Sequence, residues 1–80
     1  MRIDKYLKIS RIIKRRTIAQ EACDKGRVTI NDKVAKSGTQ VKVGDQIEIN
    51  FSGKSVKYEV LDVKEYVKKE DTEALYRILE

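Results

Sequence analysis

The 80-residue chain contains no histidine, no tryptophan and no proline, and only one cysteine. Without histidine it lacks the commonest general base and the commonest nitrogen ligand of zinc. A lone cysteine forms no disulfide framework within the chain. That residue, Cys23, stands in the run AQEACDKG with Ala19 four positions earlier and no base partner beside it, and reads as a small core residue, not a nucleophile. Aromatics are scarce: four tyrosines and one phenylalanine. Phe51 and Tyr58 fall on the apolar side of alternating segments, and Tyr66 and Tyr76 are expected to pack a closing helix onto a sheet. No platform for stacking unpaired bases is left. Long apolar runs are missing too. The N-terminal MRIDKYLKIS carries charges every few residues, so it does not read as a signal peptide, and nothing approaches the roughly 20 apolar residues of a membrane span. A chain this short makes one domain that buries roughly 60% of its unfolded surface, with little room for a deep, dry active site. With no carboxylate pair on an apolar face either, an enzyme is not expected, nor any metal or cofactor. The expected setting is the cytoplasm, away from membranes.

What the chain has is positive charge, unevenly placed. Residues 1–27 carry nine Lys and Arg against three Asp and Glu, residues 28–60 five against four, and residues 61–80 four against six. The net charge of +5 is therefore concentrated at the N-terminal third, the electrostatic footprint of a protein that sits on phosphates. Arg2, Lys5, Lys8, Arg11 and Lys14 follow one another at three-residue intervals, with Arg15 and Arg16 immediately after. On a helix that interval keeps side chains on one slowly drifting side. Lys14, Arg15 and Arg16 stand where a second helix begins, and cations there oppose the positive end of the helix dipole by up to about 1 kcal/mol each. A bound polyanion reverses the sign, because free backbone N–H groups and three cations then converge on the same phosphates.

Periodicity divides the chain. Ile3, Tyr6 and Leu7 make one helical stripe over residues 2–9, and Ile18, Ala19, Ala22 and Cys23 another over 16–25, stopped by Gly26. From Val28 the period becomes two: Val28 and Ile30 alternate with Thr29, Asn31-Asp32 supply a turn, and Val34 resumes the apolar face. After the loop Lys36–Thr39, Val41 and Val43 alternate, and Gly44-Asp45 marks a turn before Ile47, Ile49 and Phe51. Ser52-Gly53-Lys54 closes a hairpin onto Val56, Tyr58 and Val60. Residues 70–80 place Ala74, Leu75, Ile78 and Leu79 at helical spacing. The expected fold is α+β: two N-terminal helices on a short, bent antiparallel sheet, with a C-terminal helix added.

The run RIDKYLKISRIIKRRTIAQEACDKGRVTIN followed by KVAKSGTQVKVGDQIEI resembles the S4-type RNA-binding domain. That pattern is Arg-x-Asp-x-x-Leu, a basic loop, an Ala-rich second helix, Gly-x-Val-x-Ile-Asn and later Val-x-x-Gly-Asp-x-Ile. Two positions depart from it. Asp32 stands where Asn-Gly is common, and Arg15 stands where many members place a serine N-cap. The resemblance implies an S4-like domain over residues 1–65 and a helical extension over 66–80. It favours Arg2, Lys5, Arg11, Lys14, Arg15 and Arg16 as RNA contacts, with Lys36 beside the sheet; the three-residue spacing adds Lys8. Asp4 is expected to cap the first helix or to orient Arg2 or Arg16. Small size, the KRRT segment and the closing helix resemble the fifteen-kilodalton heat-shock branch of the family. That likeness implies binding of rRNA and peptidyl-tRNA on the large ribosomal subunit after a stall, support of alanine tailing with RqcH, and a monomer off the ribosome. A stand-alone factor in ribosome assembly is the alternative. With no base-reading cluster, recognition is expected to go by RNA shape and backbone.

Overall fold

Two short helices, a small sheet and a C-terminal 3-10 turn share one core in the computed structural model, which describes residues 1–79. Helix α1 spans Ile3–Ile9 and buries Ile3, Tyr6 and Leu7. Helix α2 spans Arg16–Asp24 and buries Ala19, Ala22 and Cys23, small side chains that let it lie close against α1. Ile18, expected in the same stripe, is instead exposed. Gly26, at φ +71°, ends the second helix as expected, its left-handed backbone being one that glycine adopts without strain.

The sheet runs in the order β2-β1-β3-β4-β5, antiparallel throughout, with β1 Val28–Ile30, β2 Lys33–Val34, β3 Gln46–Phe51, β4 Lys54–Val60 and β5 Tyr76–Leu79. Val28, Ile30, Ile47, Ile49 and Val60 face the helices and complete the core with Leu75. Gln46 and Asn50 alternate to the exposed outer face. Two-residue turns set the register of both hairpins. Asn31 and Asp32 have φ of 51° and 69°, and Ser52 and Gly53 have 47° and 81°, so each pair adopts the left-handed geometry whose twist matches the flanking strands. Asp32 thus takes the strained conformation its place in the turn implied. This register pairs Val34 with Thr29, which puts Val34 on the outer face, exposed, and not on the apolar face as its spacing suggested.

The turns are latched to each other. Asn31 donates from Nδ2 to Asp45 at 3.0 Å, its Oδ1 accepts the Gln46 N–H at 3.0 Å, and Asp45 in turn accepts the Lys42 N–H at 2.9 Å. The Asn of Val-x-Ile-Asn and the Asp of Gly-Asp-x-Ile are therefore partners in holding β1 against β3. Val41 is buried, but residues 41–43 form no strand and Val43 is exposed.

The C-terminal segment differs from the helix expected over 70–80. A 3-10 helix occupies Lys69–Leu75, and the chain then extends into β5, pairing Tyr76 with Val60 and Ile78 with Tyr58; Glu80 lies outside the described residues. The edge of β4 decides this. Its N–H and C=O groups gain partners from an extended Tyr-Arg-Ile-Leu that a helix would withhold. Side chains add to it: Tyr76 meets Tyr58 edge-on at a 5.4 Å centroid separation, and Arg77 pairs with Glu59. Tyr76 was expected to pack a closing helix onto the sheet and is instead part of the sheet, as the first residue of β5. Tyr66, expected in the same role, is 91% exposed, and Phe51 at the hairpin end is more than one-third exposed.

Candidate nucleic-acid interface

Two N–H groups at the start of α1 are satisfied from the loop between β2 and β3: Ile3 donates to the Thr39 carbonyl at 2.8 Å and Asp4 to that of Ser37 at 3.3 Å. Ordinary capping side chains are absent at both helices, where Arg2 and Arg15 occupy the N-cap positions with no side-chain cap bond. The place of a cap is taken by Asp4, in the first turn of α1 and fully enclosed. Its carboxylate accepts from the Lys5 N–H at 2.8 Å, the Arg2 guanidinium at 3.2 Å, Gln20 Nε2 at 3.0 Å and Arg16 Nε at 3.4 Å. Burial works to raise its pKa. The bonds from Gln20, Lys5 and Arg16, with the Arg16 charge, outweigh that and hold the carboxyl below its ordinary value. An anion beside the first turn of α2 also offsets the unfavourable cations there. Asp4 therefore orients both Arg2 and Arg16, as expected, and ties α1 to α2.

Beside this hub lies an open concavity of about 470 Å³ between α1, the loop to α2 and the C-terminal segment. Lys5, Lys8, Arg11, Lys14 and Arg16 line it together with Lys69, six cations against the single carboxylate of Glu65. Sequence spacing brought the first five together; Lys69 was missed, because only the fold carries it to this wall. Arg16 belongs to both the concavity and the Asp4 hub. Arg2 lies at the hub with its guanidinium near Gly38, Lys36 is exposed on that same loop, and Arg15 is exposed outside the concavity lining.

Two details of the lining were not legible from the sequence. Arg11 has φ +63°, a left-handed conformation that costs a non-glycine residue roughly 1–2 kcal/mol. It ends α1 in the way glycine ordinarily does, with the Ile13 N–H reaching back to the Leu7 carbonyl at 3.1 Å, and so places a guanidinium where a C-terminal stop carries no side chain. Lys5 Nζ meets Glu65 at 2.6 Å across 60 residues of sequence, and this bond holds the Glu65 carboxyl below its ordinary pKa. Ile9 and Val67 give the concavity an apolar portion, with Tyr66 beside them.

Cys23, by contrast, is 3% exposed in the core, and burial, with the nearby Asp4 and Asp24 charges, pushes its thiol up to about 11. It is a packing residue, as its motif suggested. Among the described residues no helix is long and apolar enough to cross a membrane.

A helix pair tied by a buried aspartate and flanked by a basic concavity, on a small antiparallel sheet, defines a compact S4 module. The chain belongs to the S4 domain family, whose pattern matches residues 1–47. It is similar to proteins named RQC P-site tRNA stabilizing factor. The one from Halalkalibacterium halodurans is 54% identical over 78 residues, covering 98% of this chain and 89% of that one. The Bacillus subtilis protein is 47% identical over 79 residues, covering 99% and 92%. Among solved structures, Vibrio cholerae Heat Shock Protein 15, described as trimeric, superposes with a TM-score of 0.89 at 25% identity over 99% of this chain and 81% of that one. The solution structure of hypothetical protein HP1423 gives 0.84 at 32% identity over 100% and 98%.

Proposed function

We propose that this protein is a non-catalytic RNA-binding factor that holds tRNA on the large ribosomal subunit during quality control of stalled translation. The observation that carries the reading is the concavity, where six cations from α1, the following loop, α2 and the C-terminal segment face one carboxylate. Cations converging from separate elements suit the phosphates of a folded polyanion, and they read its backbone and not its bases. The names of the relatives, RQC P-site tRNA stabilizing factor, support the tRNA and the setting. In this reading Lys5, Lys8, Arg11, Lys14, Arg16 and Lys69 contact phosphates in the concavity. Arg2, Arg15 and Lys36 extend the contact surface past it onto rRNA. Residues 1–65 act as the RNA-binding unit, and the segment from Tyr66 onward completes the concavity as an extension. The same resemblance extends the proposal to alanine tailing with RqcH in the cytoplasm.

Gradient sedimentation of labelled protein with three particles tests this. The expected order is strong binding to large subunits bearing peptidyl-tRNA, weaker binding to vacant large subunits, and little to assembled ribosomes whose small subunit covers that face. Equal binding to all three, or to naked duplex RNA, reduces the protein to a general RNA binder.

A further inference from the structure

Of the five aromatic residues, four are engaged or lie away from the basic face. Tyr6 is buried, Tyr58 and Tyr76 meet edge-on, and Phe51 sits at the far hairpin. Tyr66 alone lies beside the cations, 91% exposed and in the lining of the concavity. Its two neighbours in the chain are engaged through their side chains, Glu65 pairing with Lys5 at 2.6 Å and Val67 packing against the core. An aromatic ring between two anchored neighbours, left in solvent next to a cluster of cations, has the two properties of a base-stacking platform. The volume, about 470 Å³, lies in the range of clefts that enclose a single small organic molecule.

We propose that the concavity takes one unpaired ribonucleotide, its base stacked on Tyr66 and its phosphate held by Lys5, Lys8 and Arg11. The inference rests on the RNA-binding reading and deepens it, adding a base-dependent contact to a surface that otherwise reads only backbone. The Glu65 carboxylate holds the Lys5 ammonium in the free protein and gives way to the incoming phosphate, which carries the same kind of oxygen acceptor.

The test compares the wild-type protein with Tyr66→Ala, Tyr66→Phe and Arg11→Ala on two probes, pentaadenylate RNA and an abasic ribose-phosphate strand of the same length, at low salt. The wild-type protein is expected to prefer the base-bearing strand. Tyr66→Ala is expected to weaken that strand about 5- to 150-fold and to leave the abasic strand unchanged. Tyr66→Phe, which keeps the ring, restores binding, and Arg11→Ala weakens both probes. If Tyr66→Ala changes neither probe while Arg11→Ala weakens both, stacking is overturned and the basic concavity stands. If no variant changes either probe, both readings fall. Competition by a polyglutamate peptide with no preference for bases also overturns the nucleotide site. Because the chain has no tryptophan, Tyr66→Trp supplies a single reporter. Its quenching by purified tRNA, by vacant large subunits or only by large subunits bearing peptidyl-tRNA identifies which RNA delivers the nucleotide, and quenching by none of the three overturns the proposal.

Discussion

The hydroxyl of Tyr6 donates a buried 2.7 Å hydrogen bond to the carbonyl of Leu75, 69 residues later in the chain. It joins the first helix to the turn from which β5 departs, and so fixes the C-terminal wall of the concavity against the helix that carries Lys5 and Lys8. Tyr6→Phe is expected to cost about 1 kcal/mol, near the low end for a buried bond, because the Leu75 carbonyl keeps the Leu61 N–H at 2.9 Å. For a domain of this size that lowers the melting temperature by roughly 4–8 °C. Thermal melts followed by circular dichroism check it, and an unchanged melting temperature would show the bond to be idle.

Asp4 links stability to pH with a definite sign. Its pKa is depressed in the folded protein, so the unfolded chain takes up the proton first as acid is added. The stability it contributes is complete above the ordinary value of 3.8 and is lost as pH falls below that value through the folded one. Urea unfolding at pH 7, 4, 3 and 2 should show the wild-type protein losing stability faster than Asp4→Asn over the acid steps. At pH 7 Asp4→Asn is expected to cost roughly 1–3 kcal/mol, as charge-assisted bonds to Arg2, Arg16 and Gln20 are weakened.

Binding to RNA should be strongly salt-dependent. With about six cations engaged, log affinity is expected to fall against log salt with a slope of roughly −4 to −5. Lys14→Ala or Lys69→Ala should each reduce the slope by about 0.7–0.9 without altering the melt, since both side chains are exposed. A slope near zero for the wild-type protein would remove the phosphate contacts.

Leu7 and Val28, both wholly buried, separate packing from contact. Leu7→Ala is expected to cost roughly 2–5 kcal/mol, a large share of the stability of so small a domain, and Val28→Ala somewhat less. Arg2→Ala and Arg16→Ala should weaken binding with a smaller loss of stability, because each leaves Asp4 its remaining partners. Melts beside binding curves decide it; Arg variants that melt as low as Leu7→Ala would make those side chains structural.

The Cys23 thiol should resist alkylation. Burial and a pKa pushed up to about 11 leave almost no accessible thiolate at pH 8. Iodoacetamide labelling read by mass spectrometry is expected only when urea unfolds the chain, and rapid labelling of the native protein would show that α2 opens on its own.

Local pattern made much of this legible. Both N-terminal helices, the Asn31-Asp32 and Ser52-Gly53 turns and the inward faces of β1 and β3 follow from periods of 3.6 and two and from residues that tolerate left-handed backbone. Five of the candidate cations converge for the same reason, being held on consecutive turns and one short loop. Val34 escaped this reading because a two-residue turn, and not apolar spacing, sets its face. Ala74, Leu75, Ile78 and Leu79 fit a helix, yet Tyr76 and Ile78 also alternate, and spacing alone does not choose between the two.

The sequence by itself determined where charge accumulates, where the two N-terminal helices and the first hairpins lie, and that Asp4 stands among cations in the first helix. Only the tertiary structure decided that residues 76–79 extend along the open edge of β4, that Glu65 returns to Lys5, and that Lys69 and Tyr66 stand at the basic concavity. The physical reason is range. Helical and strand periods are set by neighbours within a few residues, whereas a strand edge in need of hydrogen-bond partners, or a cation in need of an anion, is satisfied by whichever distant segment the packed core brings within reach.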